Sequence, residues 1–310
     1  MLAPAAPPCL PDNARYQAWL EADAGIGPQR AYHLACRLAE ELRPHGLAAA
    51  ACADWALAHT LFWRGRFEES RVLLTAIRLA DSASRTGGAL PPELLVAAQL
   101  SWALALLDQR QAALIQAGYA MTLAQSHPET SALAVASGFL GLLHCFLDAP
   151  EASLAATRQL RASASDTAQT GLLYSARLLE YWAQSRLGRP TDETAAQTAL
   201  AGLRRLGTAH EARAFNLYAL GQYYQSPKHA LTQIDAALDL NARHGLHHWE
   251  AHLLHLKSRS LDANGLLHAA SRFHDLARQT AQRQNARLFL SAITGIESRT
   301  HADPDMDYAA

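Results

Sequence analysis

An apolar helix, a short turn and a second, amphipathic helix recur about every 40 residues along this chain of 310 residues. The clearest copy runs from Trp55 to Ala80. Successive turns between the paired helices begin 37 to 43 residues apart. Gly, Asp and Asn tolerate the left-handed backbone that ends a helix, and Pro suits the first turn of the next one. The six turns are Gly65-Arg-Phe67, Asp108-Gln-Arg110, Asp148-Ala-Pro150, Gly188-Arg-Pro190, Gln225-Ser-Pro227 and Asn264-Gly-Leu266.

This pattern predicts an all-α array in which each helix pair packs on its neighbours. Half of the residues are hydrophobic, so a long core can be buried. We expect four segments along the chain. Residues 1–12 form a proline-rich disordered tail, 13–50 an N-terminal helical cap, 51–298 the helical repeats, and 299–310 a flexible tail.

Composition excludes several classes of partner. The formal net charge is −1, from 27 basic and 28 acidic residues, so the chain lacks the excess of Lys and Arg that binds nucleic acid directly. No apolar run is long enough to span a membrane, and the N-terminus lacks the basic start of a signal peptide. The four cysteines, Cys9, Cys36, Cys52 and Cys145, show no paired spacing. We therefore expect free thiols and a cytoplasmic protein.

The repeating unit resembles the tetratricopeptide repeat. Gly65, Phe67, Ser70 and Ile77 occupy the positions of the first repeat where that family has Gly, an aromatic residue, a small residue and an apolar residue. Later repeats keep the small residue five positions after the turn begins, except the fourth, where Glu193 stands; these small residues are Ala113, Ser153, Ala230 and Ala269. The resemblance implies a right-handed α-solenoid of about six helix pairs.

A second resemblance covers roughly residues 50–300. The order of its phrases is similar to the C-terminal helical region of bacterial LuxR-type regulators and of adenylate cyclases that carry an AAA-type ATPase. The phrases are Trp55–Ala80, Ala136–Pro150, Tyr181–Pro190, His248–Lys257 and Ala281–Leu290. The sequence contains no phosphate-binding G-x-x-x-x-G-K-[ST] motif and no recognisable DNA-reading or cyclase motif. The resemblance therefore implies a sensory or scaffolding region without the catalytic domains of such regulators.

Aromatic residues on the first helix of each pair are the candidate binding residues. In the register set by the turns, eight side chains face the concave groove: Trp55, His59, Phe62, Trp63, Trp102, Trp182, Phe215 and Tyr223. Tryptophan offers a large rigid surface with a polar N–H group and is frequent at binding hot spots. The alternative is that these rings fill space between neighbouring helices, as their alanine-rich surroundings would require.

Four histidines, His244, His248, His252 and His255, recur at helical spacing and fall on one face. Histidines one turn apart can bind zinc. Surface histidines in a chain rich in Arg and His are the commoner explanation, so we predict no metal and no cofactor. Acidic pairs such as Glu68-Glu69 lie in the first turn of second helices, where their negative charge offsets the positive N-terminal end of the helix dipole. No pattern indicates a catalytic nucleophile, and we predict that the chain is not an enzyme.

These observations predict a non-catalytic module that captures a protein or peptide partner in its concave groove. Two alternatives stay open: a domain that senses a small-molecule effector, and a stand-alone sensory half of a nucleotide cyclase-type protein. Self-association into a homo-oligomer is also open. Partner capture predicts a long continuous apolar groove. Small-molecule sensing predicts one enclosed pocket near Trp55, Trp63 and Trp102.

Overall fold

The computed structural model describes residues 14–26, 28–45, 47–80, 92–164 and 169–295, and these ranges hold fifteen α-helices and no strand. The predicted tails, 1–12 and 299–310, lie outside the described residues. A π-helical turn, Ala22–Ile26, and a 3-10 turn, Arg43–His45, interrupt the N-terminal part. The helices are α1 Ala14–Glu21, α2 Pro28–Leu42, α3 Leu47–Trp63, α4 Phe67–Ala80, α5 Pro92–Leu106, α6 Arg110–Ser126, α7 Thr130–Phe146, α8 Pro150–Ser163, α9 Thr170–Arg186, α10 Glu193–Leu206, α11 Thr208–Gln225, α12 Leu231–His244, α13 Glu250–Ala263, α14 Leu267–Arg283 and α15 Arg287–Thr294.

The all-α prediction is confirmed, and the helices pack in two layers. Each odd-numbered helix from α3 to α13 packs against the even-numbered helix that follows it. Each odd-numbered helix of this series also contacts the next odd-numbered helix, up to α15. The odd-numbered helices therefore form a continuous inner layer, with the even-numbered helices outside. This packing is compatible with the predicted array of helix pairs. No helix in the described ranges is long and apolar enough to cross a membrane.

Five of the six turns contain a left-handed residue, as the sequence predicts. Positive φ angles occur at Gly65 (74°), Asp108 (62°), Asp148 (53°) and Gly188 (65°). In the sixth turn the left-handed residue is Gly265 (76°), one position after the predicted Asn264. The fifth turn differs, because Ser226 after α11 is extended and a longer turn precedes α12.

Two serines in second helices show that repeats are geometrically equivalent. Ser70 donates a hydrogen bond to the carbonyl of Ala58 (2.8 Å), and Ser153 donates to the carbonyl of Gly141 (2.9 Å). Both bonds span twelve residues and join the second helix of a pair to the first. Both serines are fully buried. A small side chain at this position lets the two helices approach closely, which explains its recurrence in the sequence.

The N-terminal segment does more than cap the array, because it contacts both the first helix of the inner layer, α3, and the later helix α11. The helix α2 packs on α3, and the π-helical turn packs on α11. The loop before α13 also contacts the end of α3, a contact that we call the seam. There the backbone N–H of His247 donates to the carbonyl of Trp63 (2.7 Å). Gln284 Nε2 then donates to the carbonyl of His247 (2.8 Å). The start of the inner layer is therefore joined to its later repeats.

The cysteines differ from the expectation in one respect. Cys36 and Cys145 carry free thiols, and burial raises the pKa of Cys145 well above its ordinary value. Cys52, predicted to be a free thiol in an apolar helix, is disulfide-bonded. The prediction of a cytoplasmic protein rested on four free thiols, so the disulfide at Cys52 removes that argument for it.

Candidate functional site

Six of the eight predicted groove residues are buried in the protein interior. Each of these six is at most 3% exposed; they are Trp55, His59, Phe62, Trp63, Trp102 and Trp182. Phe215 and Tyr223 are half-buried. The burial supports the packing alternative for the first six in this conformation. These six side chains therefore do not line an open apolar groove in this structure, whereas the prediction placed them on the concave face.

The rings of the first two repeats fill the interior where a pocket was predicted. Trp63 and Trp102 pack edge to face with centroids 5.9 Å apart, and Phe62 lies 5.6 Å from Trp102. Trp102 stacks on Phe139 at 4.3 Å, and its indole N–H donates to the Phe139 carbonyl (2.8 Å). Because the inner helices meet across the seam, these side chains face one another rather than solvent.

A buried polar cluster explains His59. Arg213 of α11 makes a two-pronged ion pair with Asp23 of the π-helical turn, one prong being Nη1 to Oδ2 at 2.8 Å. His59 Nε2 lies 3.6 Å from Asp23 Oδ2 and accepts from Trp63 Nε1 (2.8 Å). The Arg213 guanidinium covers the Trp63 ring at 4.6 Å. Burial alone would raise the pKa of Asp23, but the charge of Arg213 and the contact with His59 outweigh it and hold that pKa well below its usual range. His59 therefore has a structural role.

A cavity of about 680 Å³ lies farther along the inner layer. Two of the eight predicted residues, Trp182 and Tyr223, line it. The other lining residues come from the end of α7, from α11, from the inner face of α13, from α15 and from the start of α6. They are Arg110, Cys145, Phe146, Leu147, Asp148, Leu220, Tyr224, Trp249, His252, His255, Leu256, Arg259, Leu288, Phe289, Ser291, Ala292 and Gly295.

Stacked aromatic rings form one wall of this cavity. Trp249 lies at the centre, with its ring 4.8 Å from Phe146 and stacked on Phe289 at 5.6 Å. His252 stacks on the same Phe289 ring at 5.2 Å. A concavity of a few hundred Å³ that combines an aromatic wall with several polar side chains can hold a small molecule.

Four nitrogen atoms of the lining residues have no hydrogen-bond partner among the described residues. They are Nε1 of Trp182, Nε1 of Trp249, Nδ1 of His252 and Nδ1 of His255. Burial lowers the pKa of His252 to about 3 and that of His255 to about 4, with neighbouring positive charge adding to both shifts. Both imidazoles are therefore neutral near pH 7. An unpaired buried polar group costs about 1–3 kcal/mol, which a ligand that pairs it would recover.

Of the three charged residues that line the cavity, Arg110, Asp148 and Arg259, two have an ion-pair partner. Arg110 Nε pairs with Asp108 (2.8 Å), and Asp148 accepts two hydrogen bonds from Arg186 (2.9 and 2.8 Å). Arg259, one turn beyond His255 on α13, makes no ion pair with any described residue. One guanidinium at this concavity, that of the exposed Arg259, therefore has no ion-pair partner among the described residues.

A larger cleft, of about 1090 Å³, lies between α2 and the end of α12. Its lining includes one acidic residue, Glu40, and many basic side chains: Arg30, Arg37, Arg64, Arg243, His33, His244 and His247. Arg64 donates to Gln29 (2.6 Å) and lies over the Tyr32 ring. The cleft has no aromatic wall, and most of its charged side chains are exposed. It is a basic surface rather than a shaped pocket.

The histidine run is divided by the structure. His248 is fully buried with its ring 4.5 Å from that of Trp63, whereas His252 and His255 line the cavity and His244 the basic cleft. Within the described residues, no group of three His, Cys, Asp or Glu side chains could hold a metal ion. The prediction of one shared helix face is wrong for the full run, because His244 ends α12 and His248 lies in the turn before α13. His252 and His255 do share a face of α13, and the aromatic prediction missed this part of the cavity together with Phe146, Trp249 and Phe289.

One serine–histidine pair has the contact that a catalytic nucleophile and base would need. Ser226 Oγ and His229 Nδ1 are 2.9 Å apart on the exposed turn after α11. The residues lie outside the lining of either cavity. This pair is accounted for by the local geometry of the turn.

Comparison of the chain with models of known protein families finds no match, and comparison with curated proteins finds no significant one.

Proposed function

We propose that this chain is a non-catalytic binding module and that the aromatic cavity is its site for a small molecule. The observation that carries the proposal is a cavity of about 680 Å³ built jointly by α7, α9, α11, α13 and α15. Ligand binding there would touch five inner helices at once. Small changes in their relative angles would alter the surface of the whole array, which suits a sensor.

The resemblance to the helical regions of bacterial regulators agrees with this proposal, since such regions receive effectors. Capture of a long partner segment in the inner groove is less well supported. The inner rings of the early repeats contact one another, and the seam between Trp63 and His247 closes the path that an extended peptide would follow.

A blocking variant tests the proposal. Ala292 lines the cavity and is exposed on α15, so a tryptophan there would enter the cavity without displacing core atoms. We expect Ala292→Trp to abolish binding of small aromatic compounds detected by ligand-observed NMR. The matched control is Ala201→Trp, at an exposed position of α10 outside the lining. Equal binding by both variants and the wild type would place the site elsewhere.

Capture of an acidic protein segment is the second candidate function. The basic cleft favours it, because four arginines face one carboxylate there and guanidinium groups bind carboxylates in a two-pronged geometry. The same variant separates the two functions. If no small molecule binds the wild type, and if Ala292→Trp still captures a protein partner from cells, the basic cleft is favoured as the binding site.

A further inference from the structure

We infer that the ligand of the aromatic cavity is an organic anion with a flat aromatic body and a single carboxylate-like charge. The inference rests on the proposed function, since it names the ligand class of the same site. It follows from three features of the lining, which concern the body of the ligand, its polar contacts and its charge.

The aromatic wall selects a flat body. Phe146, Trp249 and Phe289 form a continuous series of rings with centroids 4.8 and 5.6 Å apart. Aromatic rings prefer offset or edge-to-face contact with other rings at such distances, and these contacts add to the gain from burying apolar area. An aliphatic chain of equal volume would gain only the burial.

The unpartnered nitrogens select polar atoms on that body. Trp182 and Trp249 are each 1% exposed, and neither indole N–H has an acceptor among the described residues. Each nitrogen is covered by protein atoms, so a ligand atom meets it only when the indole ring turns toward the cavity. An indole N–H can only donate, so the complementary ligand atom is an acceptor. Carboxylate oxygens are strong acceptors, and hydrogen bonds to charged groups contribute more than those between neutral groups.

The charge of the lining selects an anion over a cation. Asp148, the acidic residue of the lining, is already paired with Arg186, and Arg110 is already paired with Asp108. Arg259 makes no ion pair with any described residue. The neutral imidazoles of His252 and His255 add no positive charge near pH 7. One free guanidinium matches a single negative charge, whereas a phosphate dianion would leave one charge uncompensated.

Ligands with the same ring systems and different charges test this inference. The probes are the acetic acid, acetamide and ethylamine derivatives of benzene, naphthalene and indole, titrated at neutral pH by calorimetry and ligand-observed NMR. We expect the acids to bind at least about tenfold more tightly than the amides and the amines not to bind. Arg259→Gln should remove this preference, while Arg205→Gln, at an exposed site on α10 outside the cavity, should keep it.

The outcomes separate the inference from the proposed function. If acids and amides bind equally and Ala292→Trp blocks both, the cavity is a ligand site but the inference of an anion is wrong. Tighter binding of the amines would also overturn it, in favour of a cation held by the aromatic wall. If no member of the panel binds at millimolar concentration, both the inference and the proposed function fail. Circular dichroism and thermal unfolding check that each variant is folded.

Discussion

At the scale of single residues, two glycines inside helices show how closely the inner helices approach. Gly221 of α11 lies so near α9 that an added Cβ would come within 2.5 and 2.6 Å of the Tyr181 ring. That ring is held in place, because the Tyr181 hydroxyl accepts hydrogen bonds from Gln222 (2.5 Å) and Gln225 (2.8 Å). Gly118 of α6 has no atom within 4 Å of the same hypothetical Cβ. Both residues are helical, but only one is required by packing.

We expect Gly221→Ala to lower the free energy of unfolding by about 1–2 kcal/mol, because overpacking outweighs the better helix propensity of alanine. Gly118→Ala should raise it by about 0.5–1 kcal/mol, since only the propensity changes. Urea unfolding of both variants measures the two effects. A stabilised Gly221→Ala variant would show that α9 and α11 are farther apart than described.

At the scale of helices, the Asp23–Arg213 ion pair joins the N-terminal segment to α11. The two residues are 190 positions apart and both are almost fully buried. Two charges out of water are costly to bury, and removal of one leaves the other uncompensated. The pair therefore specifies where the π-helical turn lies on α11 more than it adds stability.

We expect Asp23→Ala to destabilise the protein by about 3–5 kcal/mol and to increase hydrogen exchange in α1 and α2. Asp275→Ala, which removes an exposed pair with Arg278, should cost less than about 1 kcal/mol. A double variant, Asp23→Leu with Arg213→Met, should recover much of the loss because no charge stays unpaired. A small effect of Asp23→Ala would contradict the described burial of this pair.

At the scale of the whole molecule, several histidines are buried as neutral groups. Burial lowers the pKa of His210 and His252 to about 3 and that of His255 to about 4, and it lowers that of His248 well below its ordinary value. In the unfolded chain these side chains titrate near pH 6.5. The contribution of these neutral histidines to the free energy of unfolding is therefore fully present above about pH 6.5. It decreases as the pH falls, because the unfolded state binds protons at these side chains and the folded state does not.

We expect the free energy of unfolding to decrease by about 1.4 kcal/mol per pH unit for each of these histidines between about pH 6 and pH 4.5. Urea unfolding from about pH 7.5 to pH 4.5 measures the slope. The variant His252→Phe should reduce the slope by one proton, whereas His268→Gln, at an exposed position, should leave it unchanged. A flat profile would show that these histidines are hydrated.

The sequence by itself determined the helices and most of the turns, because both depend on neighbours within a few residues. The spacing of apolar residues indicated the helix pairs, and Gly65, Asp108, Asp148 and Gly188 marked left-handed turns that the structure contains. Only the tertiary structure decided what the inner faces do. The position of one helix relative to a distant one depends on the sum of the angles between all the helix pairs that separate them. No local sequence pattern encodes that sum. It brought Asp23 to Arg213, buried six of the eight predicted aromatic and histidine positions, and formed the aromatic cavity from residues of α7, α9, α11, α13 and α15.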